Sequence, residues 1–147
     1  MNFQLSEFPL ESAPWQQIQP LLDSCYPSPP RDVFTKVLSG SHIRQRLWLA
    51  QSPTGEWLGM VMLSPHSKGG HLENLAVIPA ARGKGVGQAL VMQLLSDVSS
   101  LGPAIVSLTT RVPTYFEFLG FRCVGQLTDN SKAMVIFLPT PITSTDS

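Results

Sequence analysis

Charge is scarce in this chain, and neither sign prevails: 14% of residues are charged, 10 basic against 10 acidic. Domains that bind nucleic acid carry a basic excess to meet phosphates, so a nucleic-acid partner is not expected. Long apolar runs are missing too. None approaches the roughly 18 residues that a membrane-spanning helix needs, so no membrane partner is expected either. The opening MNFQLSEFPLE has no basic start and no long apolar stretch, which predicts no signal peptide and a cytoplasmic location. Cysteine is limited to Cys25 and Cys123, far apart and without metal-ligand spacing. Two reduced thiols and no metal site are expected.

What is present is enough to fold. Hydrophobic residues make up 43% of the 147, which suits one domain around one core. That single domain is expected over 1–139, with 140–147 a polar, disordered tail. FQLSEF alternates as a first strand. SAPWQQIQPLLDSCY places Trp15, Ile18, Leu21 and Leu22 at helical spacing. Ser12 is placed to cap that helix, Pro14 falls in its first turn, and Pro20 is placed to kink or divide it. RDVFTKVLSG predicts a second helix ending at Gly40. HIRQRLWLAQ and EWLGMVMLS, joined by SPTG, predict a hairpin. GGHLENLAVIP follows as another strand. GVGQALVMQLLSDVSSLG is the clearest helix, with Val86, Leu90, Leu94, Val91, Leu95 and Val98 on one broad apolar face. AIVSLTT is nearly all apolar and predicts a strand buried on both faces. PTYFEFLG predicts a short helix, begun by Pro113 and ended by Gly120. FRCVGQL and KAMVIFL read as two last strands. Strands and helices interleave in this order as an α/β (α+β) sandwich with a mixed sheet.

The densest chemical signal is RGKGVG, residues 82–87, between the strand ending LAVIP and the clearest helix. A helix start exposes unpaired N–H groups and a partial positive charge. Glycines ahead of it let those donors approach an anion with no Cβ in the way. Arg82 and Lys84 add cations, so the segment suits a diphosphate. Two other phosphate loops do not fit. A P-loop would end in Lys-Ser/Thr, and a dinucleotide fingerprint would space its glycines Gly-x-Gly-x-x-Gly, whereas Gly83, Gly85 and Gly87 alternate.

What remains, Arg82-x-x-Gly85-x-Gly87 between strand and helix, resembles the signature of the GNAT superfamily of N-acetyltransferases. The likeness covers LENLAVIPAARGKGVGQALVMQLL, 72–95, and a second match is YFEFLGF, 115–121. The resemblance implies a mixed, mostly antiparallel central sheet of about six to seven strands flanked by about four helices. It implies acetyl-CoA as co-substrate, a small-molecule amine as acceptor, and allows a homodimer. The backbone of Leu75, Ala76 and Val77 would pair with the pantetheine arm, with a donor at Val77 for the thioester oxygen. Arg82, Gly83, Lys84, Gly85, Val86, Gly87 and Gln88 would hold the pyrophosphate.

An alkylamine has a pKa near 10, so its proton must go somewhere before attack. Glu73 is the candidate acceptor, acting through a water by resemblance, and lies on the face of Leu75 unless a bulge intervenes. The bland alternative is a salt bridge or a substrate-orienting acceptor. His71 is a second, weaker base. Many family members put a Tyr four residues before the Gly of Gly-Phe, as acid for the leaving thiolate. Here that place is Phe116, which has no hydroxyl and is expected beside the cofactor; its neighbour Tyr115 is the catalytic candidate, or else a packing residue. The run Thr-Thr-Arg-x-Pro-x-aromatic-Phe, 109–116, is similar to amino-acid N-acetyltransferase domains. That would imply a free α-amino acid as acceptor, with Arg111 pairing its carboxylate. Trp15, Tyr26, Phe34 and Met134 are candidates for the acceptor pocket or for the core. An inactive CoA-binding module of the same fold is the alternative reading.

Overall fold

The structure is a computed structural model describing residues 2–25, 45–66 and 68–139. Its elements run β1 (Gln4–Phe8), α1 (Trp15–Cys25), β2 (Arg46–Gln51), β3 (Trp57–His66), β4 (Gly69–Val77), α2 (Val86–Ser99), β5 (Ala104–Thr110), α3 (Pro113–Phe118), β6 (Arg122–Gln126) and β7 (Lys132–Leu138). The strands form a seven-stranded sheet in the order β1-β2-β3-β4-β5-β7-β6. β1/β2, β2/β3, β5/β7 and β6/β7 are antiparallel, while β4 and β5 run parallel. The helix expected over 31–40 and the tail 140–147 lie outside the described residues.

The described residues group into two compact units, one up to Ser64 plus Glu73–Leu94, the other Pro65–Leu72 plus the chain from Leu95. In the first unit, alternation along β2 and β3 fills both faces of the sheet. Leu47, Leu49, Met60 and Met62 meet Leu10, Ile18 and Leu21 on the α1 side. Trp48, Ala50, Val61 and Leu63, offset by one residue, are also buried, as are Val86, Leu90 and Leu94 of α2. Each such apolar side chain taken fully from water contributes about 1.5–3 kcal/mol, which holds these layers in register.

Gly59 brings β3 and the start of α2 together. A Cβ there would lie 3.0 Å from the Ala76 carbonyl oxygen and 3.0 and 3.2 Å from side-chain carbons of Leu90 and Val86. At the edge of the sheet, Arg46 makes a two-pronged ion pair with Glu7 at 2.7 and 2.9 Å. Such partly exposed pairs are worth about 0–1 kcal/mol, so this one fixes register more than stability.

Ser12 does not cap α1: it ends a short 3-10 turn, and its hydroxyl donates to Pro9 O at 3.4 Å. The first α1 bonds run to the Pro14 carbonyl, from Gln17 and Ile18. α1 then continues through Pro20 without dividing. β5, in the second unit, is not buried on both faces as its apolar run predicts. Its residues alternate between buried and exposed, with Ile105 51% exposed, because only one face is covered. Val106 and Leu108 are buried, as are Phe116, Leu119, Phe121 and Met134.

Candidate active site

In the first unit the glycine turn is open. Gly83 and Gly85 have φ of +75° and +87°, and a Cβ on either would meet nothing within 4 Å. Left-handed backbone of this kind is where glycine is needed. Residues 82–85 are exposed. The first α2 hydrogen bond runs from Ala89 N to Gly85 O at 3.0 Å. The N–H groups of Val86, Gly87 and Gln88 therefore precede any carbonyl of the helix that could accept from them. Arg82 Nε donates to Val77 O at 3.0 Å, so the side chain that opens the turn also ties it to the end of β4. A guanidinium has five donors, which leaves positive charge at the mouth of the turn beside Lys84. Leu75, Ala76, Val77 and Arg82 through Gln88 are thus brought together on one strand, one turn and one helix start.

β4 is not regular. Asn74 has φ +54° in mid-strand, a conformation that Asn tolerates better than most residues. Glu73 accepts from Ser64 Oγ at 3.1 Å, and Asn74 Nδ2 reaches Met62 Sδ at 3.6 Å. Ser64 and Met62 are two apart on β3 and share a face. Two consecutive β4 residues therefore engage the same face, which is the mark of a bulge. Ala76 joins the α1-side core, so alternation from Asn74 onward turns Leu75 to the opposite side. The condition on Glu73 fails: it lies on the face opposite Leu75, held by β3. Ser64 in turn accepts from Gln45 Nε2 at 3.0 Å. Sequence reasoning does not single out Asn74, Ser64 or Gln45. A lone Asn inside an apolar strand, disfavoured there, is the signal that was available for the first.

In the second unit, His71 pairs in register with Ser107, and its Nδ1 lies 2.9 Å from Ser107 Oγ. Phe116 is buried and packs edge-on against Phe121 at 5.8 Å between ring centroids. Tyr115, turned outward on α3, meets Phe116 edge-on at 5.0 Å, and partial burial pushes its phenol above its ordinary value. Arg111 is exposed and pairs with Asp129 at 3.5 Å. Hydrogen bonds from Ser131, more than the Arg111 charge, hold the Asp129 carboxyl below its usual range. Met134 is fully buried, and Trp15, in the first unit, packs on the α1-side core with its Nε1 donating to Leu10 O at 2.7 Å. Met134 is a core residue, while Trp15 is partly buried against the core; Tyr26 and Phe34 lie outside the described residues. A hollow of about 300 Å³ in the second unit is lined by Gly120, Arg122, Val135, Ile136 and Phe137, none of them a sequence-derived site residue. Cys123 is an exposed free thiol. Among the described residues no group of three or more His, Cys, Asp or Glu is placed to hold a metal, and no helix is long and apolar enough to cross a membrane.

A model of the acetyltransferase (GNAT) family matches residues 15–121. Over 80 residues the chain is 28% identical to the peptidyl-lysine N-acetyltransferase YjaB of Salmonella typhimurium, covering 54% of this chain and 52% of that protein, so it spans about half the length of the curated relative. Among solved structures, the ribosomal-protein-S18-alanine N-acetyltransferase from Escherichia coli superposes with a TM-score of 0.75 at 18% identity over 99% of both chains. An aminoglycoside 6'-N-acetyltransferase complexed with coenzyme A superposes with a TM-score of 0.78 at 20% identity, over 95% of this chain and 99% of that one. At these identities the structural likeness is one of fold.

Proposed function

This chain belongs to the acetyltransferase (GNAT) family, and from that premise we propose that it moves the acetyl group of acetyl-CoA to a primary amine of a small molecule, with free amino acids the first acceptors to try. The observation that carries the reading is the open turn at Gly83 and Gly85, ahead of the α2 donors and tied by Arg82 to the end of β4. The N–H groups of Val86 to Gln88, with Arg82 and Lys84, hold the pyrophosphate. Backbone groups of Leu75 to Val77 align the pantetheine arm. Acetyl-CoA supplies a thioester carbonyl, at which the amine nitrogen forms a C–N bond as the C–S bond breaks and the thiolate leaves. Glu73 takes the amine's proton through a water. Tyr115 has the hydroxyl that could return a proton to sulfur; Phe116, buried and without one, cannot. Arg111 is assigned to a substrate carboxylate, for which it would have to exchange its exposed Asp129 partner.

A second reading, a CoA-binding module without turnover, is favoured by Phe116 alone. The separating experiment measures thiol release from acetyl-CoA with a panel of amino acids, polyamines, aminoglycosides and an Ala-initiated peptide, alongside thermal stabilisation by CoA. Turnover that falls about 100-fold or more in Glu73→Gln supports the enzyme. Stabilisation by CoA with no turnover on any amine sinks it in favour of the module, and no stabilisation at all sinks both.

A further inference from the structure

Glu73 does not stand alone, and the chain of hydrogen bonds behind it has a direction. Gln45 Nε2 donates to Ser64 Oγ at 3.0 Å, and Ser64 Oγ donates to Glu73 Oε1 at 3.1 Å. A serine hydroxyl has one proton. Because the Gln45 amide N–H can only donate, it cannot take that proton, which goes instead to the carboxylate. Turning the Gln45 amide over would place its carbonyl on Ser64, draw the hydroxyl proton away, and leave two oxygen lone pairs facing each other at Glu73. The orientation that serves Glu73 has a cost on the same residue: Gln45 Oε1 is buried and has no hydrogen-bond partner among the described residues. Buried acceptors without partners are rare enough to need a reason.

We propose that Gln45 and Ser64 are positioning residues that hold the Glu73 carboxylate by Oε1 and leave Oε2 as the atom that receives the substrate's proton. This rests on the acetyl-transfer reading above. The bulge at Asn74 is part of the device, because it puts Glu73 on the Ser64 side of β4. The proton leaves the amine nitrogen, passes through water to Oε2, and makes Glu73 neutral; the Ser64 hydrogen bond to Oε1 persists in both states, so the side chain need not move.

The test is a double-mutant cycle on thiol release, using acetyl-CoA and whichever amine of the panel above turns over fastest. Ser64→Ala is expected to lower kcat about tenfold with the KM for acetyl-CoA unchanged, and Ser64→Thr to restore most of it. Gln45→Leu, close in shape but unable to donate, moves kcat in the same direction and guards against misfolding of the Ser64 variant. The decisive arm is Ser64→Ala in a Glu73→Gln background. A residue acting only through Glu73 causes no further loss there, whereas a structural role lowers both backgrounds equally. Equal losses in the two backgrounds, or wild-type kcat in Ser64→Ala, overturn the proposal. A Glu73→Gln enzyme as fast as wild type overturns it while leaving acetyl transfer standing, and a wild-type protein that acetylates no amine overturns both.

Discussion

A methyl group added to Gly59 has no free space to enter. Its carbon would sit 3.0 Å from a backbone oxygen, that of Ala76, and within 3.0 and 3.2 Å of Leu90 and Val86 side-chain carbons. Leu90 could give way by a rotamer change. The Ala76 carbonyl cannot, because β4 is anchored just beyond it by the Ile78 N to Leu58 O bond at 2.9 Å. Val86 is the first residue of α2 and is itself buried. Relief of the Val86 contact requires the start of α2 to lift from the sheet, and the contact with the Ala76 oxygen stays even then. Overpacking of this kind costs about 1–3 kcal/mol, and a change near 2 kcal/mol lowers Tm by about 4–8 °C in a chain of this size. Gly59→Ala is thus expected to melt several degrees lower and to gain less thermal stabilisation from CoA, since the displaced helix start is the proposed phosphate site. Gly125→Ala is the control: its Cβ meets nothing within 4 Å and its φ is ordinary, so it should be neutral or stabilising by about 0.4–1 kcal/mol. A Gly59→Ala protein with wild-type Tm and wild-type response to CoA would refute the close approach from which the effect is derived.

At Gly85 the obstacle is conformational, since φ is +87° and the space is empty; Gly85→Ala should cost about 1–2 kcal/mol in urea unfolding and raise the KM for acetyl-CoA, Gly85→Val more so. An unchanged KM would move the cofactor elsewhere. Asn74→Ala, forced to φ +54°, should lose about 1 kcal/mol while Asn74→Gly keeps stability; equal stability of the two would argue against the bulge. The Tyr115 phenol, raised by burial, should titrate above 10.0 in a Tyr26→Phe protein followed by tyrosinate absorbance. The sign for stability follows: above pH 10 the unfolded tyrosine ionises first, so unfolding is favoured as pH rises. Titration at or below 10 would remove the burial argument.

Much of the molecule can be read along the chain. The order of strands and helices follows from side-chain periodicity, and the ends of α2 and α3 from Gly and Pro, because these are properties of neighbours a few residues apart. The turn at 82–87 is legible for the same reason: its glycines, cations and following helix are contiguous. The one covered face of β5 is not legible, because an apolar run records only that its residues are apolar, not how many faces are covered. The bond that Ser12 makes is not legible either, because a short polar residue before a helix can bond the preceding turn instead.

What the sequence by itself determined, then, is local: the succession of elements, the acetyltransferase turn, and a carboxylate at Glu73. What only the tertiary structure decided is which way that carboxylate faces and what holds it. Asn74 reverses its side of the strand, and its support comes from Ser64, 9 residues away, and Gln45, 19 further back. The closeness of α2 to β3 depends likewise on the missing Cβ of Gly59. Hydrogen bonds and packing act over a few ångströms of space whatever the separation along the chain, so partners brought together by strand pairing leave no spacing in the sequence by which to find them.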